Sequence, residues 1–156
     1  MAVDVTTPSA CEIKVTRVFN APAKLVFDCH IKPQLVPRWM LGPPGWSMPI
    51  CEIDPKVGGS YRYVWRSESD GSEFGIHGKF LEIDAPTRIV HSEVMDGMPG
   101  EAVVTMTLVE NAGRTTLTML MRFPSQEIRD GALQSGMTDG MSASYERLEQ
   151  VMSESG

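Results

Sequence analysis

SQEIRDGALQSGMTDGMSASYERLEQVM, residues 125–152, decides the architecture. Leu133, Met137, Met141, Tyr145, Leu148 and Met152 recur at steps of four, four, four, three and four, which lines them up as one apolar stripe on a helix. Asp139, Ser142, Glu146 and Glu149 fall off that stripe. Ser125 suits an N-cap, and Glu127 complements the helix dipole. Gly131, Gly136 and Gly140 each weaken a helix by about 1 kcal/mol relative to Ala. The spacing therefore predicts a break or kink early and a firm helix from about Gly136.

Upstream, the period changes from helical to alternating. Val104, Met106 and Leu108 alternate with Thr105 and Thr107, and Leu117, Met119 and Met121 alternate with Thr116 and Thr118. Threonines on one face and aliphatics on the other describe a one-sided antiparallel sheet. SYRYVWR, residues 60–66, places Tyr61, Tyr63 and Trp65 together, and Asp70-Gly71 marks a hairpin turn. Phe74, Ile76, Gly78 and Phe80 then share a phase, which turns His77 and Lys79 outward unless a bulge at Gly78 shifts the register. Earlier, CEIKVTRVF (11–19) reads as a strand with Ile13, Val15 and Arg17 on one face. Arg17 can reach a carboxylate at the sheet edge or lay its stem over the core. Pro22 opens a short helix with Leu25, Val26 and Cys29 inside, and Pro33 and Pro37 bound a helical turn or two. LGPPGWSMP (41–49) reads as a loop in which Trp46 either caps the core edge or lines a pocket mouth. Met1 to Ala10 reads as a flexible tail, leaving 11–156 as one domain.

A helix with one apolar stripe and a sheet with one apolar face must cover each other. The expected class is α+β: about six to seven antiparallel strands, curved around a long C-terminal helix, with two short helices between the first two strands. Gly136 and Gly140 remove volume beside the stripe, Met106, Met119, Met137 and Met141 supply adaptable walls, and Trp39, Trp46, Tyr63 and Trp65 can close a rim. A cleft of a few hundred Å³ between sheet and helix is therefore expected, against the alternative of a Met-rich solid core.

At 156 residues the chain is long enough for a substantial core. A net charge of −6, with basic residues scattered singly, argues against nucleic-acid binding. No apolar run reaches membrane-span length, and the start has no basic, apolar leader pattern. Cys11, Cys29 and Cys51 have no metal-binding or CxxC spacing and read as small hydrophobes in a reducing cytoplasm.

Several segments in order carry a likeness: RVFNAPAKLVFDCHIKPQLVPRWM (17–40), GPPGW (42–46), CEIDPKVGGSYRYVWR (51–66), HGKFLEIDAPTRIVHSEV (77–94) and GMSASYERLEQVM (140–152). From about Cys11 to Met152 the chain resembles bacterial AHSA1-type proteins, homologues of the C-terminal domain of the Hsp90 ATPase activator, within the START-like (SRPBCC, Bet v 1-like) superfamily. The resemblance implies a helix-grip fold over an apolar cavity, no cofactor, and a hydrophobic small molecule as partner. Superfamily members bind lipids, sterols, polyketides and plant hormones, or act as cyclases and hydrolases. Relatives occur as monomers and dimers, so a homodimer is left open. The eukaryotic activator's extra N-terminal domain has no counterpart here, and direct action on Hsp90 is not expected.

Where relatives tend to carry bulky aromatics on one strand, this chain has His91 and Glu93. Two apart on a strand, they share a face. Val90 and Val94 favour the phase that leaves the pair in water. The other phase sets an imidazole and a carboxylate in the cleft as an acid–base pair, with Tyr63 or Tyr145 donating a hydrogen bond. His30 and His77 read as surface or rim residues. His77, His91 and Cys51 show no metal-site spacing. The leading expectation is a binder whose ligand touches Trp39, Trp46, Tyr63, Trp65, Phe80, His91, Met106, Met119, Met137, Met141 and Tyr145. The alternatives are a cyclase- or hydrolase-type enzyme using His91 and Glu93, and a co-chaperone-like interaction module with an exposed apolar patch.

Overall fold

The computed structural model describes residues 3–98 and 100–155. Met1 and Ala2 of the expected tail, Pro99 of the Asp96–Gly100 loop, and Gly156 lie outside the described residues. Eight strands form one antiparallel sheet: β1 (Asp4–Thr6), β2 (Glu12–Phe19), β3 (Trp46–Ile53), β4 (Ser60–Ser67), β5 (Glu73–Asp84), β6 (Arg88–Met95), β7 (Ala102–Asn111) and β8 (Arg114–Arg122). Their order across the sheet is β1-β2-β8-β7-β6-β5-β4-β3. Helix α1 (Ala23–Ile31) and a 3-10 turn (Val36–Arg38) connect β2 to β3, and α2 (Gln126–Gln134) and α3 (Met137–Ser155) follow β8.

Two segments join the sheet unexpectedly, one adding an eighth strand and the other lengthening β3. The first lies in the expected tail: Asp4 pairs with Thr16 and Thr6 with Lys14. Beyond it, the Ser9 carbonyl accepts from Arg129 Nη1 at 2.9 Å, so this segment is tied to α2. Three residues are too few to show alternation, yet they cover what would otherwise be the open edge of β2. The second is Trp46–Met48, which begins β3 instead of ending a loop, with Trp46 paired to Ser67. Pro49 is tolerated because β3 is an edge strand whose register shifts between Ser47 and Ile50.

The expected helix break falls at Gly136, whose φ of 84° suits glycine and ends α2. Ser125 Oγ accepts from the Ile128 amide at 3.2 Å, the expected N-cap. Two flanking contacts fix α3. Ser144 Oγ accepts from the Gly42 amide at 2.8 Å on one side, and Ser142 Oγ accepts from the Val3 amide at 3.1 Å on the other. The backbones of α1 and α2 approach the strands closely, whereas α3 stands further off and reaches the sheet through side chains.

Ile13, Val15 and Phe19 of β2, Val104, Met106 and Leu108 of β7, and Leu117 and Met121 of β8 point inward and are buried. Arg17 lies among them, also buried. Its Nη1 donates to the Val18 carbonyl at 2.6 Å and to Glu149 Oε1 on α3 at 3.3 Å, and its guanidinium lies 4.7 Å from the Phe19 ring centroid. Among the described residues no helix is long and apolar enough to cross a membrane.

Candidate functional site

The inner face of the sheet has a closed half and an open half. In the closed half, Trp39, Tyr145 and His30 pack as rings. Trp39 stacks on Tyr145 at 5.5 Å between centroids, and His30 meets Trp39 edge-on at 4.8 Å. The Trp39 indole N–H donates to the Cys29 carbonyl at 2.8 Å, pinning the 3-10 turn to α1. Five of the expected ligand contacts, Trp39, Tyr63, Phe80, Met106 and Tyr145, are fully packed core here.

His30 is also in this core and not at the surface as expected. The buried residues of α1 are Ala23, Val26, Phe27, Cys29, His30 and Ile31, and Ala23, Val26, Phe27, His30 and Ile31 keep a helical spacing into which a histidine fits once polarity is ignored. His30 Nδ1 lies 2.7 Å from the Val26 carbonyl. A carbonyl can only accept, so Nδ1 carries the proton and Nε2 is a bare acceptor, buried without a hydrogen-bond partner. Burial lowers the His30 pKa to about 4, partly offset by the Val26 hydrogen bond. His77 is exposed, as expected, and lies 3.4 Å from Asp96.

The open half centres on β6. In register His91 faces Phe80 and Val104, and Glu93 faces Ala102. All three partners are inward-facing, so His91 and Glu93 point toward the helices and not into water. The valines misled because the outer face of this strand is covered too: Val90 and Ser92 are both buried. The His91 and Glu93 side chains nevertheless remain 20% and 28% exposed. Central β6 has neighbours on both sides, so that exposure comes from the helix side, where α3 does not close over them.

The floor around Glu93 is built from small residues. Ala102 stands opposite it, and Gly78 occupies the same level on β5, next to the His77–Val94 pair. Gly78 is required there. An added Cβ would come within 1.9 Å of the Ser92 carbonyl oxygen and 2.9 Å of the Tyr61 ring. The Tyr61 ring crosses this glycine and donates its hydroxyl proton to the Ser92 carbonyl at 2.7 Å, while Ser92 Oγ accepts from the Lys79 amide at 3.0 Å. Side chains thus complete a gap in the β5–β6 ladder. Toward the open end come Ile76, paired with Met95, and then Phe74, paired with Trp65. Phe74 and Met95 are 42% and 43% exposed. Trp65 stacks on Phe74 at 5.0 Å, Trp46 meets Phe74 edge-on at 5.4 Å, and the Trp65 N–H donates to the Met40 carbonyl at 2.7 Å. Of the expected contacts, Trp46, Trp65, His91, Met119, Met137 and Met141 are half-buried. Tyr61, Phe74, Gly78 and Met95 were not anticipated as part of the site.

The site's electrostatics follow from burial without counter-charge. Burial raises the Glu93 pKa to about 7, and burial together with nearby His30 lowers that of His91 to about 4. His91 Nε2 lies 4.0 Å from Glu93 Oε1. At neutral pH the pair is a neutral imidazole beside a carboxyl close to half-ionised, which can give or take a proton. Burial alone pushes the Cys51 thiol up to about 11, so it is not a reactive thiolate. Among the described residues no group of three His, Cys, Asp or Glu can hold a metal ion.

Two hollows lie elsewhere. One of about 610 Å³ is lined by outward-facing Arg62, His77, Lys79 and Val94 and reaches Tyr61, Gly78 and Ser92 from the other side of the sheet, and one of about 350 Å³ lies between Asn20 and the Glu149–Ser153 part of α3.

An antiparallel sheet curved against a C-terminal helix, with one strip of its inner face left uncovered, defines a helix-grip α+β protein. The family model for activator of Hsp90 ATPase homolog 1-like proteins matches residues 20–153, and the chain belongs to that family. Among curated proteins none matches. A crystal structure of a Rhodobacter sphaeroides protein is 29% identical with a TM-score of 0.93, each chain covered to 99%. A solution structure from Arthrobacter aurescens is 26% identical with a TM-score of 0.86, covering 99% of this chain and 93% of that one. An HSP90 activator from Plasmodium falciparum, 17% identical with a TM-score of 0.61 over 92% of this chain and 96% of that one, shares the fold alone.

Proposed function

We propose that the protein binds a hydrophobic or amphipathic small molecule between the open half of the sheet's inner face and the N-terminal part of α3. The observation that carries this is the partial exposure of His91 and Glu93 on the inner face of a central strand. An apolar wall and a few convergent polar groups are what small-molecule sites share. Trp46, Trp65, Phe74, Met95, Met137 and Met141 supply the wall. The family and superfamily likeness supports the same reading.

Nile red, a neutral apolar fluorophore, tests it. It should bind and brighten with the native protein. Filling the floor with Ala102→Phe should remove that binding while the thermal transition persists. Unchanged binding in this variant would contradict the proposal.

A second reading is favoured by one observation, the inward orientation of both His91 and Glu93. A general acid and base with separated pKa values in a partly desolvated cleft suit hydrolysis or cyclisation. Buried Tyr63 and Tyr145 are not free to approach a substrate, so the donor role passes to Glu93 in its protonated form. Turnover of a panel of esters, abolished in both His91→Ala and Glu93→Gln, would establish it. The family's name also raises contact with Hsp90, for which the exposed Phe74, Met95 and Met98 are candidate apolar residues. A pull-down with purified Hsp90 decides that point.

A further inference from the structure

Glu93 lacks the partner its position calls for. A carboxylate withdrawn from water is normally matched by a cation. Among the described residues, the one ion-pair partner within 4.0 Å is His91, which is neutral at physiological pH. Among the described residues no Lys or Arg forms an ion pair with Glu93 from a neighbouring element. On β4 it meets Tyr61 and Tyr63, which sense its charge. On β5 and β7 stand Gly78 and Ala102, and Met137 and Met141, the half-buried residues of the N-terminal part of α3, are uncharged. His30 of α1 is uncharged, and Glu101 before β7 carries the same sign. Arg17 is engaged by Glu149, Arg129 by Ser9 and Asp130, and Arg147 by the Trp39 and Gly42 carbonyls.

Around this unmatched carboxylate the walls are aromatic. The Tyr61 ring adjoins Gly78, and the Tyr63 ring is 5.1 Å from that of Tyr61. Ring faces attract cations. From the Gly78 level to Phe74 is four residues along β5, roughly 13 Å at strand rise, and the surface there turns apolar and exposed. Resting on the cleft-binding reading above, we propose that the ligand is an amphipathic molecule with a basic nitrogen, its ammonium paired with Glu93 and its apolar body running along Ile76 and Met95 to Trp65 and Phe74. A carboxylate ligand would meet like charge, and a neutral one would leave Glu93 unpaired. Glu93 titrates near neutrality without ligand, so binding of an amine should strengthen as pH rises through 7.

Three probes of one length separate the possibilities: 1-octylamine, 1-octanol and octanoate, followed by tryptophan fluorescence in the native protein and in Glu93→Gln. The expected result is that octylamine binds tightest and loses about tenfold or more in the variant, while octanol binds both proteins equally. Octanol or octanoate matching octylamine, or an octylamine affinity indifferent to the variant, would overturn the amine assignment and leave the cleft standing. If none of the three perturbs the native tryptophans, both readings fall.

Discussion

The closed and open halves of the inner face belong to the same sheet and lie under the same helix, yet they are built on opposite rules. Around Trp39, Tyr145 and Leu148 the side chains are buried against one another, and the polar atoms left without a partner there, His30 Nε2 and Arg17 Nε, carry no negative charge. Around Glu93 the floor is glycine and alanine, the walls are half-exposed, and a carboxylate has no cation. Close packing maximises stability; uncovered apolar surface and an unmatched charge forgo it. A fold keeps such a region when a ligand completes it.

The largest effect that sharpens this contrast should come from the closed half. Trp39→Ala removes the ring that stacks on Tyr145 and the hydrogen bond to Cys29, and should cost about 3–5 kcal/mol in urea denaturation. Next come two methionines of identical chemistry. Met106→Ala, in packed surroundings, should cost about 2–4 kcal/mol, and Met141→Ala, beside the cleft, about 1 kcal/mol or less. Equal losses would erase the distinction between the halves.

The pH dependence separates them further, with opposite signs. The folded-state pKa of His30 is about 4 against 6.5 for the free side chain. The unfolded chain takes up that proton first, so stability is full above 6.5 and falls as pH drops toward 4, by up to about 3 kcal/mol. His91 adds in the same direction. His30→Phe should flatten this acid limb. Glu93 works the other way. Its folded pKa is about 7 against 4.5, so its contribution is full below 4.5 and is lost as pH rises through 7. Glu93→Gln should therefore stabilise the protein at pH 8, by about 1–2 kcal/mol given its partial exposure. Destabilisation at pH 8 instead would mean that the carboxylate is satisfied.

Much of the fold was legible because alternation and helical period are strong where one face is buried. Thr105-Met106-Thr107 and Leu117-Thr118-Met119 announced β7 and β8, and the Leu133–Met152 stripe announced the helix. Asp4–Thr6 escaped because it is too short for a pattern, and Trp46 because prolines and glycines around an edge strand look like a loop. The site was half legible. His91 and Glu93 stood out as a polar pair on one strand face, but a central strand buried on both sides gives no phase, and Val90 tipped the choice the wrong way. His30 was passed over because a polar residue was not counted on the inner face of α1, although the spacing Ala23, Val26, Phe27, His30 would have placed it there. Gly78 signalled a special backbone position. That it makes room for Tyr61 is a consequence of strand pairing between distant segments.

The methionines offer the most direct test, because the chain carries 11 of them, in both halves. Met106, Met121 and Met152 are buried, while Met95 is exposed and Met137 and Met141 are half-buried, the three lying along the proposed cleft. With their methyl groups labelled with carbon-13, the protein can be titrated with 1-octylamine and followed by NMR. Saturable shifts are expected at Met95, Met137 and Met141, with Met152 and Met106 unmoved. Shifts spread evenly over all methyls, or none at the cleft, would contradict the claim that the open half of the inner face is a binding site.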